Sequence, residues 1–286
     1  MKIDAHHHLW HPARGDYGWM PKGDPVLDRP YTPADLRPAL KACGIGATVL
    51  VQAAPTVAET DYLLGLAEAT DWIAGVVGWI DFEDAAQSAA LHRLARHPKL
   101  KGIRPMIQDI PDDGWMLRDE VHWAFRALAG LDLAFDALGF PRHLDAFAQL
   151  MARHPDLRVV IDHGMKPAVG GDGFAAWARG MTRLAKAGAY VKLSGLLTEA
   201  APGAGVGALR PYVDHILTAF TPARVMWGSD WPVLRLRAEY EDWHAMALSL
   251  TDHLTEAERA RIFGGTAADF YRLAPPSRAP DSMGRT

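Results

Sequence analysis

The stretch Arg224-Val225-Met226-Trp227-Gly228-Ser229-Asp230 decides the fold, because it is the last of eight short apolar segments in the chain. Each segment is followed by a stretch with helical periodicity. Near-continuous apolar strands that alternate with helices are typical of a parallel sheet covered on both faces. Eight such units in about 270 residues predict an α/β protein, a (β/α)8 TIM barrel, in which strand eight returns beside strand one. A doubly wound open sheet is the alternative, since it needs no such return.

The strands and helices follow one another regularly along the chain. The predicted strands cover residues 2–6, 48–53, 73–80, 100–105, 133–137, 158–163, 189–194 and 224–230. The predicted helices begin near residue 32 and then cover 56–69, 84–97, 118–128, 142–153, 174–187, 208–220, 239–250 and 255–263, with a short turn over 266–271. We therefore expect a single barrel domain over residues 1–274.

Two segments fall outside this repeat. Residues 11–29 form a long loop after the first strand, and loops of that length in compact domains usually act as lids or walls of a site. Residues 275–286 are rich in Pro, Ser and Arg, which predicts a disordered tail.

Composition narrows the function classes. The 286 residues carry a formal net charge of −4 and a single cysteine, Cys43, so no internal disulfide can form. This fits a reducing cytosol, and we expect a cytoplasmic protein because the chain shows neither a signal peptide nor a long uncharged apolar run. Dispersed Lys and Arg argue against nucleic acid as a partner. We expect the partner to be a small molecule. We expect the protein itself to be a monomer or a homo-oligomer.

Polar side chains stand at the carboxyl ends of the predicted strands, where barrels carry their active sites. They are His6, His8, Gln52, Asp81, Arg104, Asp136, His163, Ser194 and Asp230. Burying so many polar groups costs free energy unless they pair or bind a metal. For Gln52, Asp81 and Ser194, an ordinary strand-end hydrogen bond explains the residue at least as well.

Four of these residues suit a metal site. His6 and His8 lie two apart in Asp4-Ala5-His6-His7-His8, so a strand directs both imidazoles to one side. With His163 and Asp230 they predict an N/O site for one divalent ion, with zinc as the first choice and room for a water. An expression tag or a pair of core histidines are the alternatives for the His run. Asp230 could instead serve as a general base with little or no contact to the metal.

Other residues are candidates for binding the substrate. Arg104 could hold a carboxylate or an oxyanion, or pair with Asp136 or Asp81. Asp136 is itself a candidate for contact with the substrate. His143 could reach the substrate or cap a helix, and Lys166 could contact it or be solvated. Three tryptophans are candidates for the walls of the site: Trp10, Trp19 and Trp231.

Several motifs together resemble the amidohydrolase superfamily, in its amidohydrolase-2 branch of sugar-acid lactonases. They are Asp4-Ala5-His6-His7-His8-Leu9-Trp10, Gly15-Asp16-Tyr17-Gly18-Trp19, Lys101-Gly102-Ile103-Arg104, Ile161-Asp162-His163-Gly164-Met165-Lys166-Pro167, Lys192-Leu193-Ser194-Gly195-Leu196-Leu197-Thr198-Glu199 and Gly228-Ser229-Asp230-Trp231-Pro232-Val233. The resemblance covers nearly the whole chain and implies a hydrolase that opens a lactone such as L-fuconolactone. Where members with two metals carry a bridging Lys on strand four, this chain has Arg104, which argues for one metal at most. Members of this branch are not uniformly metal-dependent, so the need for the ion stays open.

The resulting mechanistic hypothesis is attack of water on the ring carbonyl. Asp230 takes the proton of the water, and Arg104 with the histidine cluster, including His163, stabilises the oxyanion. The alternatives are a metal-dependent decarboxylase and another lactone hydrolase, of the pyrone or muconolactone type, on the same barrel. A further alternative is a protein that binds a sugar acid without catalysing a reaction.

Overall fold

The computed structural model describes residues 1–274, and the tail predicted over 275–286 lies outside them. Eight parallel strands form one sheet in chain order. They are β1 (Lys2–His7), β2 (Ile45–Val51), β3 (Ile73–Gly78), β4 (Leu100–Ile103), β5 (Ala134–Ala137), β6 (Val159–Ile161), β7 (Tyr190–Leu193) and β8 (Val225–Trp227).

The sheet curls until its last strand meets its first. His7 and Trp231 form a parallel bridge there. The backbone N–H of Asp230 donates to the carbonyl of His6 at 2.8 Å, and that of His8 donates to the carbonyl of Trp231 at 2.7 Å. The predicted barrel is confirmed, because an open sheet would leave β1 and β8 apart.

Helices cover the outside of the barrel. Within residues 1–274 they are α1 (Pro33–Cys43), α2 (Val57–Glu68), α3 (Ser88–Ala95), α4 (His122–Gly130), α5 (Leu144–Arg153), α6 (Phe174–Lys186), α7 (Val206–Phe220), α8 (Tyr240–Leu250), α9 (Glu256–Ala260) and α10 (Thr266–Phe270). Thr56 starts α2 where predicted, since its hydroxyl accepts the Glu59 N–H at 3.0 Å. The helices predicted from residues 84 and 118 begin four residues later, because 3-10 turns precede α3 and α4.

Apolar side chains fill two layers. One lies between strands and helices, and a smaller one inside the barrel includes Ile3, Val49 and Met226. Phe270 and Tyr271, at the end of α10, pack against the inner layer. These two residues thus close the interior of the barrel at its amino end, which leaves the carboxyl ends of the strands for a site. Within residues 1–274, no helix combines the length and apolar character that crossing a bilayer requires.

Candidate active site

The four side chains predicted as metal ligands meet at the carboxyl ends of the strands. Asp230 Oδ1 lies 3.3 Å from His8 Nε2 and 3.7 Å from the Nε2 atoms of both His6 and His163. His6 Nε2 and His8 Nε2 are 3.2 Å apart. All four side chains are buried. The arrangement places three imidazole nitrogens around one carboxylate oxygen.

Two of the imidazoles are held by their outer nitrogens. His8 Nδ1 donates to the carbonyl oxygen of Val51 at 2.8 Å, so its Nε2 carries the lone pair that faces Asp230. His163 Nδ1 lies 2.8 Å from the Ser194 hydroxyl, which fixes the ring with Nε2 toward the same point. Such outer hydrogen bonds are what orient histidines that bind metals. Ser194 thus positions the His163 ring.

Two glycines in the quoted motifs give the rings room. A Cβ on Gly195 would lie 2.6 Å from the His163 ring, and Gly195 also adopts a left-handed φ of 65°. A Cβ on Gly228 would lie 2.7 Å from His6 Cβ. Both approaches are closer than carbon atoms tolerate, so only glycine fits beside each imidazole.

The turn after β6 has an uncommon backbone. The φ angles of His163, Gly164, Met165 and Lys166 are 54°, 55°, 64° and 47°, all in the left-handed region. Asp230, at the end of β8, has a φ of 60°. Residues other than glycine rarely adopt this backbone conformation unless the surrounding structure imposes it, and such residues cluster at active sites. Here the turn carries one imidazole and one ammonium group into the same cavity.

The electrostatics favour the neutral form of His6 and His163 and the charged form of Asp230. Burial lowers the pKa of His163 to about 4, although Asp230 and Asp162 oppose the shift. Burial and then Lys192 hold the pKa of His6 well below its ordinary value. Burial alone would raise the pKa of Asp230, but His163, His8 and His6 outweigh it and hold that pKa below the usual range. Neutral imidazoles and an ionised carboxylate are the forms that bind a metal.

A buried layer of charge lies beneath these groups, and sequence reasoning missed its central member. Lys192 Nζ lies 2.5 Å from Asp136 Oδ2, 2.9 Å from Asp162 Oδ1 and 3.0 Å from His6 Nδ1. Arg104 Nη1 lies 3.2 Å from Asp162 Oδ2. Burial opposes it, but Lys192 and then His6 hold the pKa of Asp162 well below its ordinary value. A lysine within the apolar run Tyr190–Leu193 is the signal that could have revealed this layer.

Asp4 is a second residue that sequence reasoning missed. Its Oδ1 accepts the backbone N–H groups of Ser229 at 2.9 Å and His6 at 3.1 Å, and its Oδ2 accepts the Tyr240 hydroxyl at 3.0 Å. Burial raises the pKa of Asp4 to about 6, against the effect of these hydrogen bonds. One carboxyl group therefore ties the strand that carries His6 to the loop that carries Asp230.

A cavity of about 350 Å³ opens above the imidazoles; we call it the reaction pocket. Its lining includes most of the predicted residues: His8, Trp10, Trp19, Arg104, His163, Lys166 and Asp230. Lys166 Nζ lies 3.0 Å from Gln108 Oε1 and 3.4 Å from Glu199. Cationic groups thus stand on two sides of the pocket.

The loop over residues 11–29 forms one wall of the reaction pocket. Its base is tied by a bridge between Trp10 and Tyr31. Trp19 is 37% exposed and donates from its indole nitrogen to the Ala53 carbonyl at 2.5 Å. The loop therefore presents an indole to the pocket at a fixed position.

Three residues predicted to contact the substrate are placed elsewhere. Asp136 is fully buried on Lys192, below the imidazoles. His143 accepts the Phe140 backbone N–H at 3.0 Å, so it caps the start of a helix, which was the alternative reading. Trp231 is buried edge-on against Tyr31, with ring centroids 4.9 Å apart. None of the three lines the reaction pocket, so their contact with a substrate stays a prediction.

Two other strand-end residues also have defined places. Gln52 and Arg104 bind each other, because the Gln52 amide donates to the Arg104 carbonyl at 2.7 Å and the guanidinium donates to the Gln52 carbonyl. Asp81 lines a neighbouring cavity instead of the reaction pocket. The predicted ion pair of Arg104 with Asp136 or Asp81 is thus replaced by a pair with Asp162.

The donor set fits a zinc ion. Two groups have ligand atoms close enough to share an ion, namely His6, His8 and Asp230, and His6, Asp162 and His163. Imidazole nitrogens with one carboxylate are ligands that zinc prefers. Asp162 Oδ1 already lies 2.9 Å from the Lys192 ammonium group, so the group with His6, His8 and Asp230 is the better candidate.

A (β/α)8 barrel with imidazoles and a carboxylate at the carboxyl ends of its strands defines a hydrolase scaffold that can carry a metal. The chain belongs to the amidohydrolase family, whose model matches residues 3–273. It is 42% identical to L-fucono-1,5-lactonase of Burkholderia ambifaria, over 97% of both chains. It is 37% identical to L-fucono-1,5-lactonase of Burkholderia multivorans, over 98% of both.

Solved structures agree with this placement. An amidohydrolase from Burkholderia multivorans with bound zinc superposes with a TM-score of 0.90 at 35% identity, over 96% of this chain and 100% of that one. A 5-carboxyvanillate decarboxylase from Sphingomonas paucimobilis superposes with a TM-score of 0.65 at 16% identity, over 96% of both chains. The second likeness shows the shared barrel only.

Proposed function

We propose that this protein hydrolyses a sugar-acid lactone, and that L-fucono-1,5-lactone is the first substrate to test. The observation that carries the proposal is Asp230, a buried carboxylate with three imidazole nitrogens within 3.7 Å, in the lining of a pocket of about 350 Å³. The two lactonase relatives, similar over nearly their whole length, support this choice of substrate class.

Asp230 acts on the attacking water. Its low pKa keeps the carboxylate unprotonated at neutral pH, so it is able to accept a proton. As the water oxygen bonds to the ring carbonyl carbon, Asp230 accepts the proton that the water loses. The bond from that carbon to the ring oxygen then breaks, and Asp230 returns the proton to the departing oxygen. The product is the open hydroxy acid.

Arg104 is suited to stabilise the oxyanion that forms on the carbonyl oxygen. Its side chain lines the reaction pocket but is only 3% exposed, so its charge acts in a poorly solvated site. Asp162 and the Gln52 carbonyl hold the guanidinium on its far side. Because these contacts fix the group before substrate arrives, no reorganisation is needed during the reaction.

Trp19 and Lys166 bind the rest of the sugar ring. Trp19 offers its exposed indole to the C–H groups of the ring, and the buried Trp10 packs edge-to-face against it, with ring centroids 5.6 Å apart. Lys166, held by Gln108 and Glu199, donates hydrogen bonds to hydroxyl oxygens. The lining therefore combines apolar walls with a few fixed polar groups, as small-molecule sites do.

A zinc ion would be held by His6, His8, His163 and Asp230. Such an ion would supply a water of lowered pKa and polarise the carbonyl. The zinc bound to a relative of 35% identity supports the choice of this metal. Metal analysis of the purified protein, before and after chelation, tests occupancy separately from activity.

Hydrolysis of L-fucono-1,5-lactone, followed with a pH indicator beside a panel of aldonolactones, tests the proposal. We expect Asp230→Asn to lower kcat by about 10²–10⁴-fold, the usual contribution of a general base. The matched control is Asp252→Asn, at an exposed site. Near wild-type turnover by Asp230→Asn would exclude Asp230 as the general base.

Carbon dioxide release from a panel of aromatic acids, with no lactone opening, would favour a decarboxylase. Tight binding of a sugar acid without turnover of either panel would favour a binding protein.

A further inference from the structure

A second cavity adjoins the reaction pocket. It has a volume of about 610 Å³ and shares Trp19, Met106 and Asp109 with the reaction pocket. We propose that this cavity, which we call the antechamber, binds a neutral pyranose ring and rejects the corresponding sugar acid. With lactone hydrolysis as the function, it would bind the substrate and repel the product, so the inference rests on the proposed function.

Aromatic walls give the antechamber affinity for a sugar ring. Trp19, Trp79, Phe82 and Trp115 all line it. The Trp79 backbone is fixed, because its N–H donates to the Thr60 hydroxyl at 2.8 Å and its carbonyl accepts that hydroxyl at 3.1 Å. Indole faces pack well against the C–H face of a pyranose. A 6-deoxy sugar adds a methyl group to its apolar surface.

The lining of the antechamber is acidic, whereas that of the reaction pocket carries charges of both signs. The antechamber lining holds four carboxylates, on Asp16, Asp81, Glu83 and Asp109, and none of its described residues is Lys or Arg. Arginines from outside pair with Asp16 and Glu83. Within residues 1–274, Asp81 and Asp109 take part in no ion pair. The reaction pocket, by contrast, is lined by the cationic side chains of Arg104 and Lys166 as well as by Asp109 and Asp230.

The carboxylates of the antechamber distinguish a neutral sugar from a sugar acid. Asp81 and Asp109 line the cavity, so their oxygens can accept hydrogen bonds from the hydroxyl groups of a sugar. A sugar acid carries the same hydroxyl groups, but its carboxylate would meet like charge there. The cavity therefore discriminates between the neutral lactone and its anionic product.

Binding of unreactive sugars tests the proposal. The probes are L-fucose, a neutral ring without a scissile bond, and L-fuconate, its acid. Saturation-transfer NMR titrations compare the wild type with Trp79→Ala, because Trp79 lines the antechamber but not the reaction pocket. The part of the binding that this substitution removes belongs to the antechamber. We expect L-fucose to bind about two- to tenfold more weakly to Trp79→Ala, as loss of one aromatic contact implies, and L-fuconate binding to stay unchanged.

The effect of the negative charge is tested by Asp81→Asn, which removes one carboxylate from the lining. The matched control is Asp156→Asn, at an exposed residue at the other end of the barrel. Asp81→Asn should let L-fuconate gain affinity, and the control should not. The antechamber is overturned if Trp79→Ala binds L-fucose as the wild type does, or if that substitution weakens L-fuconate to the same degree. Thermal melting confirms that each variant is folded. Neither probe reacts, so the binding measurements do not depend on turnover. If the wild type hydrolysed no lactone, the proposed function would be refuted and the binding results would stand.

Discussion

Replacing Lys192 by methionine should destabilise the barrel and disturb its site together. The ammonium group lies within 3.0 Å of Asp136, Asp162 and His6, and all of these side chains are fully buried. Methionine keeps much of the length of the side chain but none of the charge. Asp136 then loses its only ion-pair partner within residues 1–274, whereas Asp162 keeps Arg104.

The size of the effect follows from this burial. Removing one member of a buried ion pair typically costs about 3–5 kcal/mol, because the remaining charge is left uncompensated. Each kcal/mol corresponds to about 2–4 °C for domains near this size, so the melting temperature should fall by about 6–20 °C. Adding Asp136→Asn to Lys192→Met removes the stranded charge and should recover part of the loss. Such a rescue is a coupling that a merely poorly packed variant would not show.

Differential scanning calorimetry and circular dichroism melts of the single and double variants measure the effect. Lys186→Met, at an exposed lysine in the last turn of α6, is the matched control and should change the melting temperature by no more than about 2 °C. If Lys192→Met had the same melting temperature as the control, the buried charge layer would not stabilise the barrel. If Asp136→Asn gave no recovery, the loss would have another cause.

Three further predictions address zinc affinity, the contact between Trp19 and the sugar, and the pH dependence of stability. His8→Ala should lower zinc affinity by at least about tenfold, measured by zinc content after dialysis; wild-type zinc content in this variant would exclude His8 as a ligand. Trp19→Ala should raise KM about fivefold with little change in kcat, since it removes uniform binding; an unchanged KM would show that the sugar does not touch this indole. Burial lowers the pKa of His244 to about 4, so the folded protein binds fewer protons than the unfolded chain between pH 4 and 6.5, and stability falls as pH falls through that window. His244→Phe should flatten that part of the melting temperature profile, and an equally steep profile would contradict the shift.

The sequence predicted the barrel because its signal is local and repeated eight times. Each apolar run needs only its own residues to form a strand, and each helix start such as Thr56 carries its own cap. The return of β8 beside β1 follows from eight strands in a closed sheet. The convergence of His6, His8, His163 and Asp230 then follows from topology alone.

The depth of a side chain in the barrel could not be predicted in this way. Asp136 lies inside β5, whereas Leu138, two residues further on, reaches the reaction pocket. Which residue reaches the rim depends on the stagger between strands, and one sequence does not reveal it. Lys192 was overlooked for a related reason, because its partners Asp136, Asp162 and His6 come from three other strands or their ends.

The left-handed turn over residues 163–166 links the pocket to a helix on the outside of the barrel. The indole nitrogen of Trp177, in α6, donates to the Gly164 carbonyl at 2.7 Å and is buried. This one bond anchors the middle of a turn whose two ends are His163 and Lys166. A designer who wishes to shift the relative placement of these two groups can therefore work at the α6 interface, without altering any residue that touches the sugar.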